Sequence, residues 1–565
     1  MERRVLLAVF LCFVVLYAYQ ALFVKTPPPR PRAAEQATGK SSPAAPGAQS
    51  VAAPPPAGQP SAPASPAAPV AGAPSAPVVG DQVERKITVE TQVVRAVFTN
   101  RGGELLSWRL KHYLDEKKQP LELVPTGLPA GSPQPFSLRL EDPESTARLD
   151  AALFKASSEE ATVDATRQPV QLVFEYQDAS GLTARKSFAF QPNSYIVQFD
   201  ASAALGSRTF NPAMVWGPAL GDVSAAGESN RYLQKPEAIL FDQGSVTRLS
   251  AKQLSTDRLR EGNLRFAGVD DHYFVSAVLP KGRMRVEYEP VSIPLPDQKA
   301  TADFVSYSAK VAAATPGMRV FVGPKDFDVL KAADPDMVRV INFGFFSWLA
   351  VPLLRALKSI NAYVGNYGWA IIILTIAINA VMFPLRHKSM VSMRKMQAMQ
   401  PQIKAIQDRY AKLKATDPAR QKMNTEMMAL YREKGVNPAS GCLPMLLTMP
   451  VLFAFYAMLG QAIEVRGAPF GLWIQDLSRH DPYYVTPVLM GVTMLWQQKM
   501  TPSSMDPAQQ KMMLIMPIFF TAFFLWAPSG LALYFLLSNL LAIGQQYVTN
   551  NMLAPAQPRP TKAAQ

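Results

Sequence analysis

The 565-residue sequence predicts a polytopic α-helical membrane protein that carries a large antiparallel β domain outside the cytoplasm. Three observations lead there. Apolar runs of membrane-crossing length stand at the N-terminus and fill the C-terminal third. Between them lie short segments of alternating apolar and polar residues, the period-2 pattern of sheet with one wet face. The surplus positive charge, +14 overall, gathers in a segment between two apolar runs, which favours a role in membrane orientation over a nucleic-acid-binding domain.

The first run is Val5–Val24, preceded by Glu2-Arg3-Arg4. At 1.5 Å per residue it spans about 30 Å, the thickness of a hydrocarbon core. A cleaved signal peptide is the competing reading, but the run is long for one and no small-residue cleavage site follows. Residues 1–25 therefore read as an uncleaved signal anchor with its N-terminus in the cytoplasm. Residues 26–83 are rich in Pro, Ala, Ser and Gly and bury too little apolar surface to fold, so they read as a disordered linker.

Residues 84–337 read as a β-sandwich. Ile87, Val89 and the stretch Val93–Phe98 alternate, Asn100-Arg101-Gly102-Gly103 is a turn, and Val170, Leu172, Phe174 and Tyr176 alternate cleanly before the turn Asp178–Gly181. Following an outward-going span, this domain belongs outside the cytoplasm. Within residues 338–366, Phe346, Leu349, Leu353, Leu357 and Ile360 line one side of a helix, which predicts an amphipathic helix on the outer membrane surface. A short buried helix of the β domain is the alternative.

The core, residues 367–549, holds the runs Trp369–Leu385, Cys442–Ile463, Tyr484–Trp496, Met512–Ala527 and Gly530–Val548. Between Arg386 and Val436 there are twelve Lys and Arg against four Asp and Glu, whereas Glu464–Tyr484 carries only Arg466 and Arg479. The positive-inside rule puts the first segment in the cytoplasm and the second outside. Six transmembrane helices follow, one signal anchor plus a five-helix core, with both termini and the tail 550–565 cytoplasmic. The fourth span is the shortest.

The basic segment 386–437 reads as a cytoplasmic helical hairpin. Met396, Met399, Ile403, Ile406, Tyr410 and Leu413 form a short heptad seam, Thr416-Asp417-Pro418 breaks it, and Met423, Met427, Leu430 and Tyr431 make a second stripe ended by Gly435. A docking arm for an acidic or RNA-containing partner and a solvated hairpin whose charges only fix orientation both stay open.

Polar residues interrupt the apolar runs. Thr375, Asn379 and Arg386 stand at i, i+4 and i+11, roughly one face of the second span; Pro384 and Arg386-His387-Lys388 mark its exit. Thr448, Gln461, Thr493, Gln497, Thr521, Ser538, Asn539 and Gln545 lie in other runs. Such groups either bond across helices or face a wet cavity, and both readings stay open. No Asp or Glu sits in the middle of a run, which argues against a proton-coupled pump or an aspartyl intramembrane protease. There is no Walker loop, GxSxG or HExxH, the two cysteines and four histidines are dispersed, and no metal site, cofactor or enzymatic activity is expected.

Several stretches are long enough to compare with a known family. They are "VGNYGWAIIILT", "MQPQIKAIQDRY", "EMMALYREKGVNPASGCLPMLLTMP", "APFGLWIQDLSRHDPYYVTPVLMGVTM" and "FFLWAPSGLALYFLLSNLLAIGQQY", with "TNRGGELLSWRL" and "FVGPKDFDVLKAADP" as looser matches in the β domain. Together they resemble the YidC family of membrane protein insertases, in the long form of bacteria with two membranes. The resemblance implies an inner-membrane protein with a periplasmic β domain and no cofactor. Its partners would be nascent membrane proteins, the Sec translocon with its accessory subunits, the ribosome and signal recognition particle system, and membrane lipids, with no specific DNA binding. It implies insertion and assisted folding through a hydrophilic groove open to the cytoplasm and the lipid.

Carried onto this chain, the substrate groove is Thr375 and Asn379 in the second span, Met449 and Leu452 in the third, Met490 in the fourth, Phe523 in the fifth, and Tyr534 and Phe535 in the sixth. One position departs from the family pattern: where well-studied members have a groove arginine, this chain has Asn379. Arg386 lies seven residues on, about 10 Å along the axis. The expectation is that Arg386 with Lys388 supplies the cation at the groove mouth. Two other classes stay in view. A channel or transporter predicts a continuous pore or inverted repeats, neither of which is legible. A membrane-anchored scaffold would work through its β domain, which in sandwich form could bind a periplasmic partner or a glycan.

Overall fold

A computed structural model describes residues 77–552, apart from 116, 126–127, 129–130, 219, 222–233, 256–257, 295–300, 312–316, 411–418, 436–442 and 501–506. The expected signal anchor, nearly all of the linker, the Thr416-Asp417-Pro418 break and all but the first three residues of the C-terminal tail lie outside the described residues.

The alternating text does fold as sheet. In the strand Val170–Asp178, Leu172, Phe174 and Tyr176 are buried while Gln171, Glu175 and Gln177 are exposed. It turns through Gly181, at φ +84°, into Leu182–Phe190, and Asp178 Oδ1 accepts from the Ser180 and Leu182 amides at 2.9 and 3.1 Å to close the turn. These strands belong to an eleven-stranded sheet that ends at Ser245–Leu249, and two five-stranded sheets accompany it. The sheets face one another through side chains. Phe98 of one lies 4.8 Å from Phe188 of another, and Tyr288 donates to the Ile239 carbonyl at 2.8 Å. One pairing is parallel, Thr88–Glu90 beside Thr162–Asp164, so the domain is not antiparallel throughout.

Helix α1 (Pro143–Ala151) sits within the β domain, and α2 (Phe327–Ala333) follows the last strand. The N-cap of α2 is Asp326, whose Oδ1 accepts from the Asp328 and Val329 amides. Helix α3 (Ser347–Val364) ends at Gly365 in the left-handed region, φ +70°. Its fully buried residues are Ala350, Leu354 and Leu357; Phe346, Leu349, Leu353 and Ile360 are half-buried beside them. The buried stripe is thus rotated slightly from the expected line.

Helix α4 (Tyr367–Ala398) begins at Asn366, whose Oδ1 accepts from the Trp369 amide at 3.2 Å. Helices α5 (Gln400–Tyr410) and α6 (Ala419–Glu433) form the hairpin. Met399 and Ile403 are buried there against Met396, Met427, Leu430 and Tyr431, so the Met-rich seam packs on itself. Helices α7 (Leu443–Gln461), α8 (Val485–Met500), α9 (Pro507–Phe524) and α10 (Ser529–Met552) complete the helical part.

Helix α4 runs unbroken past Pro384 and the Arg386-His387-Lys388 cluster to Ala398. Proline removes the amide that would have bonded the Ala380 carbonyl, and the helix continues through it. Gln545 Nε2 of α10 donates to the Phe383 carbonyl, beside the proline, at 3.1 Å.

Among the described residues two helical segments are long and apolar enough to cross a membrane, Tyr367–Ser392 with 26 residues and Ser529–Thr549 with 21. Helices α7, α8 and α9 have 19, 16 and 18 residues. That is about 28, 24 and 27 Å of helix against a hydrocarbon core of about 30 Å. Large apolar side chains stand outward on these helices: Val381 is 77% exposed, Phe519 71% and Ile515 63%. Faces of this kind need lipid or a partner rather than water. One contiguous buried cluster runs from the β sheets through α2 and α3 into the helices around Met458, Met490 and Leu531.

Candidate functional site

The polar residues of α4 form a chain along one face. Thr375 Oγ1 donates to the Ile371 carbonyl at 2.6 Å, the usual back-bond of a helical threonine, and Asn379 Nδ2 donates to the Thr375 carbonyl at 2.8 Å. Both side chains are buried. Asn379 keeps its Oδ1 as an acceptor, and Arg386 Nη1 donates to it at 2.6 Å. Helical side chains lean toward the N-terminus, so a seven-residue reach of about 10 Å suits a long arginine stem.

Tyr534 of α10 approaches the same point. Its ring stacks on Phe455 of α7 with centroids 4.1 Å apart, and α10 packs against both α4 and α7. Thr375, Asn379, Arg386 and Tyr534 are thereby brought together where α4, α7 and α10 meet. Phe455 was absent from the expected set. The available signal was its place three residues after Leu452, on the same face of the helix.

The remaining expected residues divide. Leu452 is half-buried against the core, and Met449 is half-buried one turn earlier. Phe535 is half-buried, 5.4 Å from Tyr534 and 4.8 Å from Phe524. Met490 is fully buried, and its carbonyl accepts from Thr493 Oγ1 at 2.8 Å. Asn539 Nδ2 reaches that carbonyl at 3.5 Å and Thr493 Oγ1 at 3.4 Å, so these polar residues join α8 to α10 as interhelical bonds. Phe523 is 44% exposed with its ring beside Phe524.

The basic cluster also divides. Arg386 turns inward, His387 Nδ1 lies 3.3 Å from Thr549 Oγ1, and Lys388 is exposed. Arg386 thus reaches the polar face, while Lys388 stays at the exposed surface. Among the described residues no group of three His, Cys, Asp or Glu is placed to hold a metal ion.

Comparison with known proteins agrees along the whole chain. A family model described as "60Kd inner membrane protein" matches residues 359–556, and one described as "YidC periplasmic domain" matches residues 86–356. The membrane protein insertase YidC of Geobacter metallireducens is 38% identical over 569 residues, covering 99% of this chain and 100% of that one. The chain belongs to the YidC family of membrane protein insertases. The YidC of Syntrophus aciditrophicus is 37% identical over 97% of this chain and 99% of its own. A crystal structure described as an active YidC insertase with the first transmembrane domain resolved is 21% identical, covers 84% of this chain and 94% of that one, and superposes with a TM-score of 0.34.

As a YidC-family member the chain is a membrane insertase and not an enzyme, with a periplasmic β domain joined to a helical membrane region. The two YidC family matches meet between residues 356 and 359, inside α3. That helix therefore belongs to both parts.

Proposed function

We propose that this insertase moves nascent inner-membrane segments along the face of α4 that carries Thr375 and Asn379. Met449, Leu452, Met490, Phe523, Tyr534 and Phe535 supply apolar and aromatic surface for the segment. In this reading the signal anchor and five core helices make six spans, both termini and the hairpin are cytoplasmic, and clients arrive from the ribosome and signal recognition particle system, alone or beside the Sec translocon.

The observation that carries it is the Arg386–Asn379 hydrogen bond. A polar tail crossing hydrocarbon loses its hydration at a cost of several kcal/mol per polar group. A guanidinium has five donors, and the bond to Asn379 uses one. The rest serve the acidic or carbonyl groups of an entering tail. Asn379 thus acts as the bracket that holds a mobile cation at the depth of its own position, and the short helices α7–α9 shorten the dry path beyond it. Met and aromatic surfaces then accept varied apolar segments without fixed geometry.

The test is site-specific photocrosslinking from residues 379, 449 and 534 to a stalled nascent chain. Crosslinks from these positions, absent from a lipid-facing control at Phe519, are expected. Silence at all three would sink the groove reading.

A further inference from the structure

We infer that His272 of the β domain, together with the Lys358–Glu464 ion pair just past the helix end, is a positioning residue that sets the depth and tilt of α7, the helix carrying Met449, Leu452 and Phe455. This rests on the groove reading of those residues. The last carbonyls of a helix have no partner inside it. Near the end of α7 the Gly460 carbonyl finds one 188 residues away, His272 Nε2 at 2.7 Å.

The histidine is held for that task. It is 6% exposed, and the Gln234 amide faces its Nδ1 at 3.2 Å. An amide can only donate, so Nδ1 accepts and Nε2 carries the proton that Gly460 receives. The turn under it is closed by its own hydrogen bonds. Asp271 Oδ1 accepts from the Tyr273 and Phe274 amides at 2.9 and 2.7 Å, and buried Lys325 binds both the Asp270 carboxylate and the Asp271 carbonyl.

Two further contacts hold the same helix end. The Arg466 guanidinium lies over the rings of Tyr273 and Phe274, 5.8 and 5.4 Å from their centroids. Lys358 of α3 bonds Glu464 at 3.2 Å, and Asp328 and Asp326 of α2 at 2.6 and 3.3 Å. The end of α7 is accordingly closed, with Met458, Leu459, Ala462, Ile463 and Val465 all buried, whereas Met449 and Leu452 toward its other end are only half-buried. A helix pinned at one end transmits any shift of that end to Phe455 and its stack with Tyr534.

The test uses the full chain in proteoliposomes. His272→Leu removes the donor, whereas His272→Gln keeps an N–H at the end of a similar reach. Two readouts are compared at equal abundance: the ratio of client photocrosslinks from residue 449 to those from residue 534, and hydrogen exchange in Ala454–Gln461 relative to α10. His272→Leu is expected to lower the crosslink ratio about threefold and to raise exchange at least fivefold, with His272→Gln restoring both to within twofold. An unchanged ratio and unchanged exchange in His272→Leu would overturn the proposal, as would failure of His272→Gln to restore either. Should His272→Leu fail to accumulate, Glu464→Gln is read by the same measures, with the same change supporting the proposal and no change overturning it. If the groove reading itself is wrong, wild type gives no crosslinks at either position; hydrogen exchange then decides the positioning role alone.

Discussion

The Arg386 guanidinium donates to Asn379 Oδ1 at 2.6 Å, back across seven residues of one helix. A hydrogen bond to a charged group contributes about 1.5–3 kcal/mol, and 1.4 kcal/mol is tenfold in rate or equilibrium. Arg386→Gln is therefore expected to slow insertion of acidic-tailed clients roughly tenfold in growth complementation and in vitro insertion. Lys388→Gln should stay within about twofold. The swap Asn379→Arg with Arg386→Asn returns a cation to the same helix face and should recover part of the loss. Normal insertion in Arg386→Gln would end the case for this cation.

The Phe455–Tyr534 stack joins α7 to α10 through two buried rings. Phe455→Ala removes a large buried side chain, which costs about 3–5 kcal/mol. Thermal unfolding in detergent should show a clearly lowered midpoint for Phe455→Ala and a much smaller change for Tyr534→Phe, which keeps the stack. Equal effects would mean that the hydroxyl, not the ring contact, matters.

Helices α8 and α9 approach closely at Gly491. A Cβ there would meet Thr521 Oγ1 at 2.0 Å and its Cβ at 3.1 Å. Gly491→Ala must push the helices apart, an overpacking that costs about 1–3 kcal/mol. Adding Thr521→Ala removes the nearest atom and should return part of the stability in the same unfolding assay. No recovery would place the strain elsewhere.

Burial, reinforced by the nearby Lys325 ammonium, pushes the His272 imidazole down to about 4 from an ordinary 6.5, so it stays neutral in the fold. Above pH 6.5 it is neutral folded or unfolded. Between 6.5 and 4 the unfolded chain takes up a proton that the folded chain refuses, so stability falls as pH falls, by about 3 kcal/mol over that window. Asp271 works the other way. Burial raises it to about 6 despite Lys325, so it gains stability as pH falls from 6 toward its ordinary value. The readable quantity is the difference between wild type and His272→Gln in denaturant unfolding. Wild type should lose stability relative to the variant below pH 6.5; parallel curves would remove His272 from the titration.

Much of the element pattern was legible because it is local. The alternation of Leu172, Phe174 and Tyr176 has period 2 whatever lies opposite, and all three are buried. The apolar runs became α4 and α7–α10, because length and apolarity are properties of a segment. That α4 continues past Pro384 was not legible, since what packs around a proline is non-local: Gln545, which bonds the adjacent Phe383 carbonyl, lies 162 residues away. The parallel pairing of Thr88–Glu90 with Thr162–Asp164 was equally non-local.

The sequence by itself determined which segments are helix or strand, where the positive charge lies, and, through its long motifs, which family the chain belongs to. Only the tertiary structure decided where the side chains of those segments end. Arg386 could have pointed to the surface beside Lys388, but its stem folds back to Asn379 Oδ1. His272 carries no motif, and the carbonyl it caps belongs to another part of the chain. Periodicity records which way a residue faces along its own element; which partner it meets depends on how distant elements pack, and that information is spread over the whole fold.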